Sequence, residues 1–174
     1  MVAAENISGL TANNSFSSPD GLWFSAATGI CWIQTDDGAF TDETNCMLLA
    51  AVPGQVGDGG SVLVSNQLGA ATSTVTTYVG AALGEARLKR FLVAPRGAEV
   101  TGITETADGK TIFVNIQHPG ENTAATFWSA TPTPAESTWP GNGGGLQAPY
   151  GPAGRPRSST LVISRADGKR IGEA

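Results

Sequence analysis

Thr106-Ala107-Asp108-Gly109-Lys110-Thr111-Ile112-Phe113-Val114 sets an Asp-Gly turn directly ahead of a run of β-formers. Both turn residues tolerate positive φ, so the pair suits a tight hairpin and drives the flanking apolar runs to pair antiparallel. The same word stands at Ser18-Pro19-Asp20-Gly21-Leu22-Trp23-Phe24 and at Arg165-Ala166-Asp167-Gly168-Lys169-Arg170-Ile171. The separations are irregular, and each exceeds the roughly 40–45 residues of one propeller blade. Blades separated by insertions fit this spacing better than a compact sandwich.

Working outward from these turns, residues 22–24 and 30–35 read as a hairpin across Ala26-Ala27-Thr28-Gly29. Residues 46–52 continue that sheet after a turn-rich stretch. Residues 61–65 and 74–79 read as edge strands, and 88–94, 99–105, 111–117 and 160–165 complete the set. Only residues 84–88 have helical character, for one turn at most. The predicted class is therefore all-β with very little helix, a single segment of about two to three blades over 1–174. The stretch 118–158, crowded with Pro and Gly, interrupts the rhythm as a long surface excursion; Trp128 and Trp139 within it should fold back onto the sheets.

Composition agrees. The 174 residues are 40% hydrophobic and only 14% charged, with 23 Gly and 10 Pro. Such a mixture suits a turn-rich β protein, and four Trp and six Phe need a dry interior, which excludes disorder. A net charge of −5 argues against a nucleic-acid partner. The same acidity opposes phosphate, so a phosphate site would need metal ions or a local pair of arginines. No apolar run is long enough to span a membrane. The first residues lack the basic-then-apolar pattern of an export signal, so the chain is expected to be cytoplasmic or to begin after its signal. Of the two cysteines, Cys31 lies in an apolar run and reads as a buried free thiol; a disulfide to Cys46 is the lesser alternative.

Several stretches resemble the PhoX-type alkaline phosphatases. They are Ser18-Pro-Asp-Gly-Leu-Trp-Phe24, Trp32-Ile-Gln-Thr-Asp36, Leu88-Lys-Arg-Phe-Leu-Val93 and Gly97-Ala-Glu-Val-Thr-Gly102. Downstream come Phe113-Val-Asn-Ile-Gln-His-Pro-Gly-Glu121, Trp139-Pro140 and Arg155-Pro-Arg-Ser158. Their order over nearly the whole chain carries the match. The resemblance implies part of a six-bladed propeller, a periplasmic or secreted location, and hydrolysis of phosphate monoesters at a cluster of calcium and iron. It covers the family's C-terminal portion only. The N-terminal blades, with the cysteine ligand and further carboxylates, have no counterpart here, so those blades or self-association would have to complete the propeller.

Glu99 is the leading functional candidate. It follows Pro95-Arg-Gly97 and opens a strand, where a carboxylate can point into a propeller channel and bind a hard cation; the alternative is a solvated strand-edge carboxylate. Asp20 reads as a turn residue from its local context, but its neighbours match the family's calcium-site stretch. Asp36, beside Asp37, is a further metal candidate or an ordinary turn residue. Arg96, Arg155 and Arg157 are candidates for gripping phosphate, since a guanidinium binds two phosphate oxygens in one plane; solubilising charge is the alternative for each. His118, the only histidine, cannot make a zinc site alone and should anchor a loop. The competing reading of the whole is a non-catalytic propeller fragment that acts as a binding or self-associating module.

Overall fold

A computed structural model describes residues 10–38, 44–55, 57–81, 84–128, 135–141 and 156–173. Nine strands are present among them: β1 Pro19–Phe24, β2 Cys31–Thr35, β3 Met47–Ala51, β4 Ser61–Leu68, β5 Ala71–Tyr78, β6 Leu88–Val93, β7 Glu99–Glu105, β8 Thr111–Gln117 and β9 Ser159–Ser164. Helix is limited to the short 3-10 turns Gly84–Ala86 and Ala125–Trp128. The protein is all-β, with blade-like antiparallel sheets of order β1-β2-β3-β6 and β7-β8-β9, and a separate two-stranded β4-β5 ribbon.

The two larger sheets contribute to one apolar core, and β8 shows how a strand feeds it. Along β8, Ile112, Val114 and Ile116 are buried while Asn115 and Gln117 face water. Period-two alternation sends all three apolar side chains to one face. There they join Val100 of β7 and meet Trp32 and Leu48 of the first sheet, with Trp23, Leu92, Leu161 and Ile163 closing the margins. Ile171, beyond the last strand, is buried in the same cluster, and its N–H donates to Gly109 O at 2.9 Å. Trp139 packs against this core, so part of the 118–158 excursion does fold back; its cis Trp139–Pro140 bond lies in this returning segment.

Three sequence expectations need correction. Only one of the Asp-Gly words closes a hairpin. At 106–111 the Thr106 N–H donates to Thr111 O, Asp108 accepts from Thr106 Oγ1 and Lys110 N, and Gly109 alone takes positive φ, at 69°. Asp20-Gly21 instead lies inside β1, at a bulge between Pro19 and Gly21, and the first hairpin turns at Ser25–Ile30. Asp167-Gly168 turns the chain after β9, where Arg165 pairs with Asp167 at 2.6 Å, and no strand follows among the described residues. Finally, the two expected edge strands are longer than anticipated and pair only with each other. Every residue of β4 and β5 is exposed. The Val residues of β4 and the Thr residues of β5 carry strand propensity but say nothing about which sheet receives them.

Both cysteines are free and buried. Burial pushes both thiols above their ordinary pKa, and the Cys46 thiol also takes the Asp37 N–H at 3.1 Å.

Candidate functional site

The antiparallel order brings seven chain segments to one end of the sheets. The start of β1, the end of β2, the start of β3 and the end of β6 meet the start of β7, the end of β8 and the start of β9. A cavity of about 430 Å³ opens there, lined among others by Asp36, Asp37, Arg96, His118, Glu121 and Glu136. Carboxylates outnumber cations on its wall.

Glu99, the first residue of β7, is only 8% exposed. His118, just past the end of β8, brings Nε2 within 3.3 Å of Glu99 Oε2. Its Nδ1 stands 3.3 Å from Glu121 Oε2, at an angle that makes no hydrogen bond. Burial raises the Glu99 carboxyl above the usual carboxylate range; the nearby Asp36 charge adds to this, Asp20 adds less, and His118 opposes it. That Asp20 and Asp36 act on Glu99 places the three predicted metal candidates in one electrostatic neighbourhood. Asp20 and Asp36 are themselves exposed, whereas Asp37 is buried.

The backbone is strained at the same place. Among the described residues the non-glycine positions with positive φ are Ser18, at 49°, and His118, at 36°. Such conformations persist only where the surroundings hold them, and they cluster at functional sites. Ser18 O accepts the Asp36 N–H at 3.1 Å, and His118 N donates to Ser158 Oγ at 2.9 Å.

Arg96 lies at this end too, but its Nε is 3.0 Å from Glu136 Oε1, so its charge is already engaged. Backbone bonds from Gly120 N to Arg96 O and from Glu121 N to Gly97 O stitch the two flanking loops together. Arg157 sits half-buried ahead of β9, donates its backbone N–H to Trp139 O at 3.1 Å, and is not among the residues lining the cavity. Arg155 lies outside the described residues.

Two residues of the site escaped sequence reasoning. Glu121 had a usable signal, its three-residue spacing from His118 across Pro-Gly. Glu136 had none, because it reaches the site only through the fold of a loop. The carboxylate donors suit a hard cation in kind. Among the described residues, however, no three His, Cys, Asp or Glu side chains stand close enough together to hold a metal ion.

Fold and site together define a propeller-type all-β chain with a carboxylate-rich cavity where the strand ends of two sheets converge. The chain belongs to the PhoX alkaline phosphatase family, whose profile matches residues 2–120. It is similar to a solved structure described as Pseudomonas fluorescens PhoX in complex with vanadate, a transition state analogue. The two are 34% identical, with a TM-score of 0.54, over 91% of this chain and 20% of that one. The chain thus spans about a fifth of that protein's length. No curated protein matches it.

Proposed function

We propose that this chain is one segment, about two to three blades over residues 1–174, of a secreted or periplasmic phosphatase that hydrolyses phosphate monoesters. The observation that carries the proposal is the buried Glu99 carboxylate, in contact with His118, which itself lines the strand-end cavity, and under the electrostatic influence of Asp36 and Asp20. Family membership and the similarity to a vanadate-bound PhoX support the reaction class.

Calcium and iron, bound between these carboxylates and groups from the remaining blades, would neutralise phosphate charge and lower the pKa of an attacking group. Glu99 contributes a carboxylate oxygen on the inner side, with Asp36 and Asp20 at the rim. His118 keeps Glu99 oriented from one side and reaches Glu121 on the other. Arg96, which lines the cavity beside Glu136, and Arg157, ahead of β9, would be the groups that hold phosphate oxygens, together with Arg155.

The test uses the complete protein, with all its blades, and p-nitrophenyl phosphate at alkaline pH. Glu99→Ala should lower turnover by at least about a hundredfold, more than the loss of a residue that merely supports a metal ligand, with folding intact. Full activity in that variant would sink the assignment. The 174-residue chain alone should be inactive. A second reading, a non-catalytic module that associates with itself or with other blades, is favoured by the exposed β4-β5 ribbon; it requires Glu99→Ala to be without effect.

A further inference from the structure

The end of the first sheet opposite the acidic cavity carries a second cleft, of about 560 Å³. It lies where β2 begins, β3 ends and β6 begins, and Gly172 and Glu173 close it from the C-terminal side. Its character is the reverse of the first. Trp32 and Phe91 form an edge-to-face pair with ring centroids 4.9 Å apart on its wall, and Arg87, Lys89 and Arg90 line it as well. Three cations around one cleft stand out in a chain with only ten Lys and Arg and a net charge of −5. Glu173 is the one acid among the lining residues, and its carboxylate accepts the Arg170 N–H at 3.2 Å.

A second observation points to a ligand independently of the charge. Three buried side-chain nitrogens among the described residues lack a hydrogen-bond partner: Trp32 Nε1, Arg90 Nε and His118 Nδ1. The last belongs to the acidic cavity, and Trp32 Nε1 belongs to a residue lining this cleft; Arg90 stands one register position on from the Trp32, Ala50 and Lys89 row, so its guanidinium turns to the other face of the sheet. There Arg90 donates from Nη2 to Ala12 O and Ser15 O, at 3.2 and 3.3 Å. A buried donor left unpaired is unfavourable, because it has given up water and gained nothing in exchange. An indole N–H only donates, so what satisfies that of Trp32 must be an acceptor.

We propose that this cleft binds a small organic anion with a flat apolar body. The body would lie against Trp32 and Phe91, beside Ala50 and Val52. The anionic group, a carboxylate or a phosphonate-like oxyanion, would face Arg87 and Lys89 and accept from the Trp32 indole N–H. The site is separate from the catalytic proposal, since it stands at the other end of the sheet and shares no residue with the acidic cavity.

The experiment is a titration of the ¹⁵N-labelled chain with 2-naphthoate, following the Trp32 indole N–H by NMR. That resonance should move saturably, and 2-naphthalenemethanol, which has the same rings and no charge, should leave it in place. Arg87→Glu combined with Lys89→Glu should weaken naphthoate binding at least about tenfold, the scale of one lost charge-assisted hydrogen bond. Both residues are exposed, so the fold should survive; Lys89→Gln is the milder variant if it does not. A Trp32 resonance that stays still, that answers equally to the neutral alcohol, or that responds with unchanged affinity in the charge-altered variant would overturn the proposal.

Discussion

One imidazole nitrogen of His118 stands 3.3 Å from a carboxylate oxygen of Glu99, joining the loop after β8 to the first residue of β7. The neighbouring pair in the β7-β8 ladder is Glu99 with Gln117, so the hairpin register itself delivers His118 to Glu99. The contact follows from strand pairing, and the burial of Glu99 makes it matter electrostatically.

The first expected outcome concerns pH. The folded-state pKa of Glu99 is raised, chiefly by burial. Its stabilising contribution is complete below the ordinary carboxylate range and is lost as pH rises through the raised value. Asp58, Glu85, Asp108 and Asp167 are held low by hydrogen bonds and work in the opposite sense, losing their contributions on acidification. Thermal melts of wild type and Glu99→Gln from about pH 4 to about pH 7 isolate the first effect. The variant should gain on wild type as pH rises; a constant difference would refute the reading.

The inter-sheet core should be sensitive to truncation. Leu48 is fully buried between the sheets. Leu48→Ala removes that side chain and leaves a cavity, at a cost of about 2–5 kcal/mol measurable by urea unfolding. Val162→Ala, on the exposed face of β9, should change stability by less than about 0.5 kcal/mol.

Gly97 is a second sensitive position, for a backbone reason. Its φ is 62°, and a Cβ there would collide with the Glu136 carboxylate and crowd the Glu121 N–H at 3.1 Å. Gly97→Ala should cost roughly 1–2 kcal/mol from the left-handed conformation alone. It should also displace Glu136 from Arg96, seen as a shifted Arg96 Nε resonance.

The β4-β5 ribbon should behave as an independent unit. Its sixteen strand residues pair only with each other and carry no charge, and a lone two-stranded hairpin is marginal in water. Hydrogen exchange should therefore release the ribbon's amides far faster than those of β2, β3 and β8. Equal protection would mean that the ribbon is covered in solution.

The buried thiols give a simple check on the core. Neither Cys31 nor Cys46 should react with a thiol reagent in the native chain at mildly alkaline pH, and both should react after denaturation. Burial keeps the reactive thiolate scarce.

Much of this protein was legible in its residues. Apolar runs at 111–117 and 160–165 marked two of the strands, because β-branched and aromatic residues suit a pleated surface. Glu99 stood out by following a Pro-Arg-Gly break and opening an apolar strand, and the chain's own words carried the family. What the residues left open was settled by pairing across distance. The same Asp-Gly word makes a turn at Asp108 and a strand bulge at Asp20, since a dipeptide's conformation depends on which strand lies opposite. The engagement of Arg96 by Glu136, forty residues away, has no local signature. Neither has the gathering of cations beside Trp32 at the far end of the sheet. Local sequence chose the elements; the antiparallel packing of their ends decided which charges meet.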